Sequence, residues 1–494
     1  MEEVVLTGSH WLFLLVIGTI FTFMIFRRDV VLPSILGIFL IGWMFNTGNG
    51  IVDTSIGASQ AVFTSFLNAG IELFDIMLVI ALMVAMLKSL QKQGADVLMV
   101  SPMKKLMVNP TASFFVLGST MYIAATFFWP TPAVALVGTV LIPVAMKMGL
   151  PAMGAAVSLN LFGHGMALSG DLVIQGATRL TSAAAGVEST AILPYTALFS
   201  FITGFVAIGI AFFTIRRDMK SGKLKSENTD EFFDNQKKAL TSKKDDSENE
   251  EIAATVEAEE PKGKHARFLS LLVPITLLTI VSIMLIRSFG DSDNAINGGD
   301  ATALLGGTAV VLLIISTLLS EGNKAIEGIV SHLREGFYFA IKIFAPVIPI
   351  AAFFLMGHPD HAAAVLGEGA PGFLFDLGGA AAHYIDGSQI SLAFGMVAIA
   401  ILSGMDGSGF SGLPLVGALS AGLGDAVGVD VAVLAALGQV ATIFAGGGTL
   451  AAWAFGVVAD AGIAGVKPID LVRRNFFPVM IGLFIATIVA ILLM

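Results

Sequence analysis

Between positions 160 and 171 the chain reads Asn-Leu-Phe-Gly-His-Gly-Met-Ala-Leu-Ser-Gly-Asp. An amide, an imidazole, a hydroxyl, a carboxylate and three glycines fall within a stretch flanked by apolar runs. Such groups can hold an ion or a small solute, or pass a proton. Irregular polar backbone at membrane depth survives only where protein or a water-filled cavity satisfies it. Three more interruptions share this character: Trp129-Pro-Thr-Pro132, the stretch 404–412, and Ala445-Gly-Gly-Gly-Thr449. At a broken helix, amino-terminal ends favour anions, whereas carbonyl ends and hydroxyls favour cations.

The candidate binding residues are Thr131, Asn160, Gly163, His164, Gly165, Ser169 and Asp171 in one half. In the other they are Asp406, Ser408, Ser411, Gln439, Gly447 and Thr449. Asp171 and Asp406 are the ionisable candidates for Na⁺ or a coupling proton, because an intramembrane acid points to function. A plain helix cap accounts for Asp171 equally well. His164 could bind an anion or shuttle a proton, or simply pack. Small residues that only allow close helix packing are the competing explanation for each glycine. Arg179 could hold a carboxylate, and snorkelling to the interface is its plainer role. Asp75 and Lys342 sit at similar depth in their halves and are expected to pair.

The elements that would position these residues are membrane helices. Of 494 residues, 55% are hydrophobic and only 13% charged, with mean hydropathy +0.85. A soluble domain averages about 25% charged residues. The net charge of −10 gives no nucleic-acid signal, and the absence of cysteine excludes disulfides and thiol chemistry. No Walker-type loop or HExxH motif occurs, so no enzyme is indicated. Met1-Glu-Glu3 is acidic and lacks a basic leader, so the first apolar run reads as a span.

Residues 1–216 form a first repeat, with spans at 11–26, 30–45 and 73–87, a re-entrant hairpin at 112–146, a broken helix at 151–186 and a span at 192–215. Segment 48–69 is mixed and partly helical. Residues 217–266 are rich in Lys, Asp, Glu and Ser, the composition of a solvated tether. Residues 267–494 repeat the plan: spans 268–286, 301–319 and 337–356, hairpin 389–423, broken helix 431–464 and span 476–494. An offset of 279 aligns the halves without a gap from about Ala112 onward; Asn160 falls on Gln439 (439 − 160 = 279). With Lys and Arg inside, one hairpin assumption per half gives five crossings in the first half, an outside N-terminus and a cytoplasmic linker. The repeat is therefore inverted, as in secondary transporters. Pairing each hairpin tip with its own half's broken helix predicts two facing half-sites.

This layout resembles the ion transporter superfamily of secondary carriers, which includes C4-dicarboxylate carriers, gluconate permeases and citrate–metal symporters. The resemblance is carried by Phe128-Trp-Pro-Thr-Pro132 with 160–171, and by 404–412 with 439–449. Dicarboxylate members typically have Ser-Asn-Thr at these places; this chain has it in neither half. The resemblance implies a scaffold and a transport domain, a homodimer in the cell membrane, and no cofactor beyond Na⁺. The expected function is symport of a small organic anion with H⁺ or Na⁺. A Na⁺/H⁺ antiporter and a non-transporting membrane subunit are the alternatives.

Overall fold

The computed structural model describes residues 6–26, 28–47, 50–224, 263–290, 298–382, 388–405, 407, 409–410, 412–452 and 454–494. Asp406, Ser408 and Ser411 lie outside the described residues, as does most of the expected tether, 225–262. Every regular element among the described residues is a helix. The first part comprises α1 (Gly8–Ile25), α2 (Val31–Phe45), α3 (Ile51–Gln91) and the short α4 (Ala95–Val100). A hairpin of α5 (Pro110–Phe128) and α6 (Pro130–Lys147) follows. A broken helix comes next: α7 (Ala152–Leu159), a π-helical turn Asn160–Ala167, α8 (Leu168–Gly170) and α9 (Gly176–Ala185). Helix α10 (Ser189–Lys220) closes this part.

The second part starts with α11 (Gly263–Gly290), α12 (Gly298–Glu321), α13 (Ala325–Phe344) and α14 (Val347–Leu355). Two short helices, α15 (Pro359–Leu366) and α16 (Phe373–Ala382), precede the hairpin α17 (Gln389–Gly404) and α18 (Leu413–Val427). Its broken helix is α19 (Val431–Thr442), a π-helical turn Ile443–Thr449 and α20 (Phe455–Ala464). Helix α21 (Pro468–Leu493) ends the chain. Seven described helices are long and apolar enough to cross a membrane, or eight with the bent α3. The protein is a multi-pass membrane protein.

Two stretches differ from the sequence expectation. Segment 48–69 is mostly the first half of α3, which runs on to Gln91 without a proline to stop it. The apolar run 337–356 is divided, because Pro346 brings no amide donor to the end of α13.

The offset of 279 recurs in the helix starts. Pro110 matches Gln389, Ala152 matches Val431, Gly176 matches Phe455 and Ser189 matches Pro468. The two repeats are inverted in space. Helices α10 and α21 are repeat equivalents, and they pack on each other. Gly482 sits against Thr203, its own counterpart (482 − 203 = 279). Arg474, near the start of α21, donates to Asp218, near the end of α10. Equivalent helices that cross at equivalent residues and pair start with end must run antiparallel. A two-fold pseudo-axis therefore passes close to Thr203 and Gly482.

Burial on α21 is that of a helix facing lipid. Phe476, Phe477, Ile481, Phe484 and Leu492 are exposed, while Asn475, Gly482, Ala486 and Ala490 are buried. Aromatic residues face outward, and the buried face mixes Gly482, Ala486 and Ala490 with Leu471, Val479 and Leu483; the small residues allow close helix approach.

Outside the spans, Asp96 of α4 is buried and one of its carboxylate oxygens has no partner. Burial raises its pKa from 3.8 to about 6, opposed by the Val97 amide. The folded state then binds the proton more tightly than the unfolded chain. Stability contributed here is full below about pH 4 and falls as pH rises to about 6. Asp96→Asn is expected to stabilise the protein at pH 8 by on the order of 2 kcal/mol, and not at pH 4. Melting curves of both proteins at the two pH values check this; an equal shift at both would remove the titration from the account.

Candidate functional site

Each broken helix opens in the same way. A π-helical turn comes first, and the chain leaves helical geometry at Asp171 in one and at Gly448 in the other. In the first, Asp171 (φ 39°) and Gln175 (φ 60°) adopt left-handed backbone before α9 begins. In the second, Gly448 reaches φ 141°, a conformation open to glycine and not to larger residues. Single π-helical turns inside α-helices are concentrated at functional sites. The two turns cross each other: a Cβ on Gly165 would fall 2.8 Å from the ring of Phe444.

At the crossing, the amide of each half reaches the backbone of the other. Asn160 Nδ2 donates to the Gly448 carbonyl. Gln439 Nε2 donates to the Ser169 carbonyl at 3.2 Å. These bonds are symmetry mates, since 439 − 160 and 448 − 169 are both 279. Gln439 also donates to Thr178 Oγ1 at 3.1 Å. The second hairpin tip seats on its own half's break, with Gly404 against Gly446 and Gly409 against Gly447, and the cross-repeat bonds are added to that pairing. The inverted axis brings the break of one repeat onto the break of the other.

Beyond the shared amides the halves diverge. Asn160 Nδ2 donates to Asp460 Oδ2 at 2.7 Å, and His164 Nδ1 lies 2.9 Å from the same oxygen. Asn475 Nδ2 donates to Asn160 Oδ1 at 2.6 Å. All four side chains are fully buried. His164 also sits edge-on to Phe455, 5.5 Å between ring centres. Three atoms of this group remain without partners: His164 Nε2, Asp460 Oδ1 and Asn475 Oδ1. Buried polar atoms are normally paired, and these three make the group a candidate binding site.

The other candidates have more local partners. Asp171 accepts from the amides of Gln175 (3.0 Å) and Ala177 (2.8 Å), so it caps the start of α9. Ser169 Oγ lies 2.8 Å from Ser200 Oγ on α10. Thr449 donates to the Phe444 carbonyl within its own turn. Gly163 lets Met121 of α5 approach, and Gly447 lies under Gly409 at the second hairpin tip. Thr131 Oγ1 and Trp129 Nε1 are buried and unpartnered at the first tip. The two tips meet: the Trp129 and Phe410 rings are 5.3 Å apart. Trp129 holds this place at φ 71°, a strained backbone for a bulky residue. Arg179 is ion-paired with Asp75, which fastens α9 to α3.

Asp460 and Asn475 are the functional candidates that the sequence reading passed over. A signal for Asp460 was present: it is one carboxylate in Val457-Val-Ala-Asp-Ala-Gly-Ile463. Such an acid within a span warrants a functional hypothesis on its own. Asn475 carries no comparable local sign.

These features define an all-helical membrane protein of two inverted repeats with crossed, broken helices. No protein-family model matches the chain. Across its whole length it is 36% identical, over 499 residues, to the uncharacterized membrane protein YhfA of Bacillus subtilis (strain 168), and it belongs to that protein's family. Its fold is similar to the YdaH transporter of Alcanivorax borkumensis, with TM-score 0.55, 12% identity and 98% of each chain covered. It is also similar to MtrF of Neisseria gonorrhoeae, described as representing a class of antimetabolite efflux pumps. That match has TM-score 0.58 and 12% identity, and covers 94% of this chain and 93% of MtrF.

Proposed function

We propose that the protein is a secondary active transporter of the cell membrane that moves a small organic anion coupled to H⁺ or Na⁺. The observation that carries this reading is the crossing of two broken helices on a two-fold pseudo-axis. Inverted repeats with discontinuous helices place substrate and ion sites at their interface. Hairpins α5–α6 and α17–α18 enter and return on one side each in this reading. The Asp218–Arg474 pair supports it, because it brings the basic clusters at 216–217 and 473–474 to one face. Two proteins of similar fold, described as a transporter and an efflux pump, add support. The layout also supports membership of the ion transporter superfamily.

The anion would sit where Trp129, Thr131 and His164 present unpartnered polar atoms near the hairpin tips and breaks. A Na⁺/H⁺ antiporter is the second reading, favoured by the buried His164–Asp460 pair. The experiment is a thermal-stability screen of the purified protein against organic acids, with Na⁺ and without. A ligand that binds only the folded state raises apparent stability by mass action. The carrier reading expects at least one acid to raise the melting temperature. Pure ion exchange would show a pH-dependent Na⁺ flux and no response to any acid.

A further inference from the structure

We infer that the His164–Asp460 pair is a proton site, and that H⁺ is the coupling ion of the transporter proposed above. The inference rests on that reading for the word coupling, but not for the proton site itself. Asp460 Oδ2 already accepts from the amide of Asn160 and faces His164 Nδ1. A carboxylate oxygen is an acceptor, so Nδ1 carries the hydrogen and the lone pair lies on Nε2. That nitrogen is fully buried and has no partner. With Asp460 ionised and His164 neutral, the pair bears one negative charge. One proton from water forms an N–H bond at Nε2, and the pair becomes an imidazolium beside a carboxylate, with no net charge. Loss of the same proton on the other side restores the first state.

The open atom of the imidazole, His164 Nε2, is a nitrogen and suits a proton, whereas hard cations take oxygen ligands. The two unpartnered oxygens of the group, Asp460 Oδ1 and Asn475 Oδ1, are where Na⁺ would compete, and the Na⁺ arm of the experiment reads that competition.

Of the helices packed on the pair, α6 ends on Lys147, and α10 carries Tyr195 in its first turns and Arg216, Arg217, Asp218 and Lys220 in its last. On its own broken helix, Asp171 is held by backbone amides. Helix α5 contributes Tyr122, whose ring lies on Phe201 of α10. Helix α21 contributes Arg473 and Arg474, which are engaged by Asp470 and Asp218. The turn Ile443–Thr449 contributes no titratable side chain. Asp460 is the acidic residue of α20.

The charge change gives a coupling rule. An anion near the unprotonated pair meets a negative charge, and one near the protonated pair does not. For a carboxylate about 8 Å away, at an effective dielectric of about 20, this is a factor of about 30 in affinity. Anion and proton would therefore bind together.

The test follows the histidine ring itself, by nuclear magnetic resonance of the full chain in lipid bilayers with isotope-labelled histidine. The chain has seven histidines, and His164→Gln assigns the relevant signals. Between about pH 9 and about pH 5, His164 Nδ1 should stay protonated while Nε2 gains a proton. Exchanging choline for Na⁺ should leave the midpoint in place. In Asp460→Asn the protonated form at Nε2 should need a more acidic sample to appear, since the cation loses its counter-charge. The proposal is overturned if Nε2 of the unaltered protein never titrates in this range, if Na⁺ displaces the midpoint, or if Asp460→Asn leaves it unmoved. The unaltered protein supplies the first two outcomes without any variant having to fold. Failure of the carrier reading is separate: no acid would stabilise the protein, while the titration would still be seen.

Discussion

Asn160→Ala is expected to lower the stability of the purified protein by about 3 kcal/mol and to abolish ligand-induced stabilisation. Three groups lose a partner at once. The Gly448 carbonyl and the Asn475 amide are left unpaired, and Asp460 Oδ2 keeps only His164. All of these side chains are fully buried, so water does not replace what is lost. Each unsatisfied buried group costs about 1–3 kcal/mol, and membrane settings lie at the low end of that range. The symmetry mate provides the comparison. Gln439→Ala removes bonds to the Ser169 carbonyl and Thr178, and no charged group loses a donor. It should cost about half as much. Melting in detergent, with chemical denaturation where it is reversible, ranks the two. Equal losses would show that the carboxylate of Asp460 adds nothing to the role of Asn160.

The contrast between these two amides also shows what the primary structure reveals. The offset of 279 was legible because breaks are local: prolines at Pro130 and Pro132, or glycines at 446–448, interrupt a helix wherever it packs. The order of spans was legible from apolar runs for the same reason. The partners of Asn160 were not. Asp460 lies 300 positions away and Asn475 lies 315. Nothing in helical periodicity encodes a contact made across a two-fold axis. Applying that axis to the breaks directs Asn160 toward the second repeat, a contact that pairing within each half does not include. Arg179 is a similar case. Its charge at depth was plain, but its partner Asp75 lies on a helix whose first half reads as a separate, partly helical segment. Asp171 was legible in both of its roles, and the amides of Gln175 and Ala177 favour the cap.

The second large effect concerns the hairpin tip of the second repeat, where side chains are nearly absent and backbone meets backbone. Gly446→Ala should cost about 3 kcal/mol or prevent folding, because both partners in the clash are main chain. A Cβ at Gly446 would fall on the Gly404 carbonyl oxygen, with the Gly404 carbonyl carbon at 2.7 Å. A Cβ at Gly404 would in turn fall 2.9 Å from the Gly446 nitrogen and 3.0 Å from Ala445 Cβ. No rotamer change relieves such a contact; α17 must move off the π-helical turn. That movement would carry Gly409 away from Gly447 and Phe410 away from Trp129, so the two tips would part. Gly395→Ala is the matched control on the same helix. It is exposed, with nothing within 4 Å of the new Cβ, and alanine is the better helix former by up to about 1 kcal/mol. Folded yield and melting temperature in detergent should drop sharply for Gly446→Ala and hold or rise for Gly395→Ala. If Gly446→Ala melts like the parent, the close seating of hairpin on break does not exist as described. The crossed geometry that brings Asn160 to Asp460 would then lose its main mechanical support.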